Sequence, residues 1–421
     1  MKNKYLWWIL TGLLVLFTTV SCRTAPEPDA LIPTEVPEQP PPPPPPPPPP
    51  VPDTGPALTA LDAAAARAGA ARQFVMDFAG DALFPSEWEA ADSLYTQAGQ
   101  QRRTGTIPEI EASAARYNAA ADAFDAMRAQ TLARNFEDME RDLVNARNAA
   151  VAAGAMTETP DLLLHADNTV LSAYDKYHAN DFHSARDAAR NALAMYGTIA
   201  VGLEAAKIRA AIAAQVEELA PDFLLQADNA GMSAMRKWEA EDYINAEIEA
   251  RQALSMFAAL GAGLGAFTAW ESVVDSAEEL APETLLQAYA IAEEAYLKWE
   301  TGDFYEARAG AELSKVMFLR AGAIAERQRA LDRRANVAVQ PDFNTAQAVF
   351  NLANSAYQAR RLEEAAGLFG ECSAMFAVVA QLALERQLMA EEALRLANER
   401  MAESDETARA AERILEGGEI Q

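Results

Sequence analysis

The sequence is short of nearly everything a catalytic or metal-binding protein uses. It has two cysteines, Cys22 and Cys372, and three histidines in 421 residues. Two thiols cannot build a disulfide framework, and neither their number nor their spacing suits a zinc site. Basic residues are scarce: 35 Lys and Arg stand against 62 Asp and Glu, for a formal charge of −27. A surface for nucleic acid or anionic lipid needs basic patches, so the charge argues against both. No Gly-rich phosphate loop, serine elbow or Cys/His pair occurs, and no cofactor or metal is expected. Proline is nearly absent from most of the chain. Seventeen of the 23 prolines fall between Pro26 and Pro56, which leaves six for everything else.

What is present begins with an address. Lys2 and Lys4 precede an apolar stretch from Leu6 to Phe17, the length of a signal-peptide core and short for a membrane-spanning helix. Thr19-Val20-Ser21 then leads into Cys22. This segment resembles a bacterial lipoprotein signal, in which a small residue precedes a cysteine that is lipidated at cleavage. Ser21 fits that place, and Thr19 stands where leucine is usual, as in the relaxed signals of spirochaetes. The resemblance implies a signal peptide over 1–21, acyl chains on Cys22 and a lipid bilayer as partner. Arg23, where an aspartate would retain the protein at the inner membrane, implies an outer-membrane location facing the periplasm. The alternative is an uncleaved anchor with an incidental cysteine.

Residues 22–56 read as a tether. Eleven consecutive prolines, Pro40 to Pro50, can form neither helix nor sheet. In polyproline II geometry they hold off about 34 Å. The other reading of such a run is a ligand for an aromatic-lined groove.

The rest, 57–421, reads as an all-α array. Pro160, Pro221 and Pro282 are spaced by 61 residues, and Pro341 follows after 59. The text after them recurs as PDLLLHADN, PDFLLQADN, PETLLQAYA and, more weakly, PDFNTAQAV, and a diverged copy starts at Pro85. A fixed period this long marks a repeat array. Each of five units reads as a short helix opened by proline, a turn, and a helix about twice as long. The last long helix runs to about residue 416. Glycines midway along the long helices, among them Gly202, Gly261, Gly263, Gly265 and Gly322, read either as kinks or as close contacts. If the long helices are continuous, the first half pairs with its own short helix and the second with the next, as in spectrin-type rods. If they break, a curved solenoid results.

NDFHSARDAARNAL (Asn180 to Leu193) and GDFYEARAGAEL (Gly302 to Leu313) resemble the second half of a tetratricopeptide repeat, although the period is nearly twice as long. Leu219-Ala220-Pro221 and Leu280-Ala281-Pro282 are similar to the unit start of helical envelope lipoproteins of Gram-negative bacteria. These resemblances imply an interaction scaffold without a cofactor.

Candidate binding residues recur at one position. Tyr177, Trp238 and Trp299 end the short helices, each preceded by a lysine: Lys176, Lys237 and Lys298. They read either as a ladder facing a ligand groove or as packing that closes the helix corner. His165, His178 and His183 lie in one unit, but their repeat equivalents Gln226, Glu239 and Ile244 cannot ligate a common metal. Paired glutamates such as Glu217-Glu218 are adjacent on a helix, do not face each other, and read as solvated surface. The expected function is therefore a membrane-anchored scaffold that binds an unidentified envelope protein, binds no nucleic acid and performs no catalysis. The alternative is an accessory lipoprotein of a periplasmic solute-uptake system.

Overall fold

The computed structural model describes residues 53–100 and 105–417. The signal segment 1–21, Cys22 and the tether up to residue 52 lie outside the described residues. The described elements are all helical: α1 (Gly55–Asp77), α2 (Gly80–Leu83), α3 (Pro85–Gln100), α4 (Ile107–Ala153), α5 (Ala155–Glu158), α6 (Pro160–His178), α7 (Phe182–Leu219), α8 (Pro221–Glu239), α9 (Tyr243–Leu280), α10 (Pro282–Glu300), α11 (Phe304–Asp332), α12 (Ala335–Ala338), α13 (Gln340–Gln358) and α14 (Leu362–Gly417). Five short–long pairs follow one another: α3–α4, α6–α7, α8–α9, α10–α11 and α13–α14. The fold is an all-α helical repeat array.

Proline opens α3, α6, α8 and α10 because the first helical amide has no partner to lose. An acidic residue follows in the first turn, at Asp161, Asp222 and Glu283, where the helix dipole favours it. The last unit departs from the expected register. Its short helix starts at Gln340, so Pro341 is the second residue, and the unit begins one residue earlier than the proline spacing implies.

The corner from short to long helix is the same in four units. After α6, the amide of Asp181 donates to the Lys176 carbonyl at 2.9 Å and that of Asn180 to the Tyr177 carbonyl at 3.0 Å. After α8, α10 and α13 the same pair of bonds recurs. This closing pattern needs one residue with positive φ. Asn180 (61°), Glu241 (59°), Gly302 (80°) and Arg360 (60°) supply it.

The long helices are continuous: α7 and α9 each run 38 residues, about 57 Å, straight through their glycines. Gly322 is a point of close approach rather than a kink, since a Cβ there would collide with Val273 Cγ1 on α9. The second half of α7 packs on the next short helix through Ile212, Val216, Leu224 and Ala227, as the continuous alternative expected, and the long helices also pack on one another in a stagger. Gly261 on α9 lies opposite Ile212 on α7, and Gly322 on α11 lies opposite Val273 on α9. Counted from the start of each helix, both pairs are displaced by about twelve residues. Each unit thus steps forward about 18 Å along the helix axis, and neighbouring long helices overlap over roughly two-thirds of their length. The inner long helices α7, α9 and α11 each pack on the preceding and following long helices and on their own short helix.

Alanine makes this overlap possible. In the second unit the core joins Leu143 and Ala150 of α4, Leu163 and Ala166 of α6, and Ala192, Met195 and Tyr196 of α7. Equivalent clusters repeat along the array. At the N-terminal end, α1 occupies the place a preceding long helix would take, packing on α4 through Ala71 and Val75. The sequence reading put the tether's end at residue 56 and assigned α1 to no unit; the helix begins at Gly55.

Candidate functional site

The recurring aromatic position is a joint. Tyr177, Trp238 and Trp299 are each the penultimate residue of a short helix. Each ring meets, edge to face, the first residue of its own long helix: Phe182 at 5.3 Å, Tyr243 at 5.2 Å and Phe304 at 4.9 Å between centroids. Each also reaches back to an earlier element. Trp238 lies 6.4 Å from His165 on α6. Trp299 lies 5.3 Å from Phe223 on α8, and its Nε1 donates to Gln226 Oε1 at 3.2 Å. Tyr177 rests on Phe136 of α4 at 4.3 Å. Trp299 is buried, and Tyr177 and Trp238 are half-buried. The residues of the supposed ladder therefore hold one unit to the next.

The lysines beside them act first through their backbones, whose carbonyls accept the corner bond. Their side chains are half-buried, one in each unit. Lys176 lines an open groove of about 410 Å³ between α6 and α7, with His165, Asn168, Ser172, Asp187 and Asn191. Lys237 and Lys298 line no such groove with it.

A second repeated contact escaped the sequence reading. The residue seven places into each short helix is pinned by a donor about twenty residues earlier, on the long helix before it or, in the first unit, on α1. Arg72 holds Asp92 at 2.7 Å. Arg147 holds Asp167 through Nε and Nη2 at 2.8 and 2.9 Å. Arg209 holds Asp228 in the same bidentate way at 2.5 and 2.8 Å. In the fourth unit Trp270 Nε1 donates to the Tyr289 hydroxyl at 2.7 Å, and in the fifth Arg327 donates to Gln347 at 2.6 Å. The chemistry changes but the brace stays. The second unit adds a further donor: the Tyr196 hydroxyl donates to Asp167 at 2.5 Å. The Arg147 guanidinium and this hydroxyl hold the Asp167 carboxyl below the usual carboxylate range, against the opposing effect of burial. The signal was available as the Ala-Asp step at Ala91-Asp92, Ala166-Asp167 and Ala227-Asp228 with an arginine 19 or 20 residues earlier.

The remaining reactive groups are dispersed. His165 Nε2 meets the Tyr243 hydroxyl at 3.0 Å. His183 packs on Phe78 at 4.9 Å, with Nε2 3.8 Å from Asp77. His178 lies beside Tyr177. Among the described residues no group of three His, Cys, Asp or Glu is placed to hold a metal ion. Cys372 is fully buried, and burial pushes its thiol up to about 12, so it stays protonated.

Two helical stretches, Tyr243–Leu280 and Leu362–Arg413, are long and apolar enough to cross a membrane by length and composition. The first is packed between α7 and α11, and the core helix of an array passes the same test. No protein-family model and no curated protein matches the chain.

Proposed function

We propose that the chain is a lipid-anchored scaffold of a bacterial envelope. It would be held through acyl chains on Cys22 and present its array to another envelope protein without catalysing a reaction. The observation that carries this reading is the repeated brace. In five consecutive units one helix is pinned to the same point of the next short helix, and the terminal aromatics tie units together a second time. Ordering long side chains costs conformational entropy, so doubled joints suit a body that must keep its surfaces at fixed spacing. The sequence pattern before Cys22 supports the anchor. The proline run would hold the array about 34 Å from the bilayer. Such a spacer suits a scaffold whose partner stands off the membrane.

Mass spectrometry of the full chain, expressed in a host that processes lipoproteins, tests the anchor. The expected product begins at Cys22 and carries acyl chains. A product beginning at Met1, or an unmodified Cys22, rejects it. Crosslinking in intact cells then identifies the protein partner, and recovery of cytoplasmic proteins alone would reject the envelope reading.

A further inference from the structure

The last long helix differs from the others in what covers it. The first part of α14 is buried against α11 and α13 through Phe369, Phe376, Ala380 and Ala383. From residue 385 to residue 409 every position is exposed, a length of about 37 Å. In α7 and α9 the corresponding part is covered by the next short and long helices. In α14, apart from Arg386, which donates to the Ala338 carbonyl of α12, the described residues leave it uncovered.

The buried seam nonetheless continues. Ala366, Phe369, Ser373, Phe376, Ala380 and Ala383 follow alternating steps of three and four. The same steps pass through Gln387 to Ala390, Leu394, Ala397, Met401, Ser404 and Ala408. Leu394 is 64% and Met401 66% exposed. Gln387 and Ser404 interrupt this continuation, and Leu388, Met389 and Leu396 lie off it, but Leu394 and Met401 stand seven residues apart, the spacing at which a helix wound around a partner helix presents its apolar side chains.

The flanking charges of this segment complement a second copy of it in one orientation. Arg400 precedes the seam residue Met401, and Asp405 follows the seam residue Ser404. In a parallel pair of identical helices these two flanks face each other, with an offset of five residues. Arg400 of each copy then meets Asp405 of the other. In an antiparallel pair the flank bearing Asp405 meets itself. That flank also carries Glu391 and Glu412, so like charges would oppose one another.

We propose that the exposed part of α14 forms a parallel two-stranded coiled coil with the same segment of a second copy of this chain. Alanine and serine occupy every second seam position, so the interface is thin and the dimer dissociates readily. The inference is independent of lipidation at Cys22.

The test uses the full chain in membranes, with Leu394→Cys and Met401→Cys made separately and oxidised with copper phenanthroline. Glu399→Cys, on the opposite face of the helix, and the unsubstituted chain are the controls. In a parallel pair each seam position faces itself, so both seam variants should give a covalent dimer several-fold above the controls. An antiparallel pair can bring only one position onto itself, so a dimer at one site alone overturns the proposal. It is equally overturned by no dimer at either site, by equal dimer at Glu399→Cys, or by crosslinking to a different protein. Light scattering of the unsubstituted full chain in detergent gives a second reading. A monomer mass at every concentration tested also overturns the proposal.

Discussion

Trp299 and Gln226 are joined by an indole N–H to amide oxygen bond of 3.2 Å across 73 residues of sequence. The bond runs from the end of α10 to the first turns of α8, so it spans two units rather than closing one. Trp299 also packs on Phe223 and Phe304 and is 8% exposed. Trp299→Ala should therefore cost about 3–5 kcal/mol, the range for truncating a buried aromatic. Because the lost contact is a joint, unfolding should become less cooperative, with the two sides of the array separating in a denaturant melt. Trp238→Ala, at a half-buried copy of the position, should cost less. A single unshifted transition for Trp299→Ala would mean that the residue faces a ligand instead.

The Arg209–Asp228 brace should be weakly but measurably coupled. Both side chains are partly exposed, at 46% and 26%, which limits the gain from the charge pair. The bidentate geometry raises it. A double-mutant cycle with Arg209→Ala and Asp228→Ala should give a coupling of about 1 kcal/mol. A coupling near zero would remove the brace from the account of rigidity. The Trp270–Tyr289 pair occupies the same point without charge, so Tyr289→Phe should show no salt dependence while the Arg209 cycle weakens with salt.

Asp167 makes stability depend on pH in one direction. Its folded carboxyl titrates below its ordinary value, held there first by Arg147 and then by Tyr196. The unfolded chain therefore takes up the proton first as pH falls. The contribution is present above the ordinary carboxylate range near 4 and is lost as pH drops through the depressed folded value. Asp167→Asn should flatten that part of the stability–pH curve relative to the unsubstituted chain. An unchanged slope below pH 4 would refute the assignment. Tyr196→Phe should cost little, since the third and fourth units carry Phe257 and Phe318 at this position in their cores.

The architecture was legible because proline is informative where it is rare. Pro160, Pro221 and Pro282 mark helix starts, and Asp181 and Asp303 cap the long helices through bonds of 3.3 Å. The braces were not legible as contacts. Arg147 and Asp167 lie on different helices and look like ordinary surface charges until the stagger of the helices is known. That stagger was hidden too, because a glycine inside a helix signals a kink and a close contact equally, and only the collision at Val273 separates them. The helix α1 falls within the all-α stretch expected from residue 57 but was assigned to no unit, since it has no proline-opened partner before it and adjoins the proline run. The one-residue shift at Gln340 was masked by Pro341, which can sit at either of the first two helical positions.

The four corners make a final comparison possible, because the same backbone shape is filled by different residues. Gly302 adopts φ 80° without a side-chain penalty, whereas Glu241 and Arg360 hold φ 59° and 60° against a Cβ clash. Gly302→Ala should therefore destabilise the array by about 1 kcal/mol. Glu241→Gly and Arg360→Gly should each stabilise it by up to about 1 kcal/mol, with part of the strain relief returned as extra freedom of the unfolded chain. Asn180→Gly should gain less, since asparagine tolerates the left-handed region better than other residues. A Cβ at Gly302 has open space within 4 Å, so its expected penalty is one of backbone conformation alone. Chemical denaturation of the four variants measures the order. A harmless Gly302→Ala beside a destabilising Glu241→Gly would show that the corner is set by side-chain contacts and not by the positive φ.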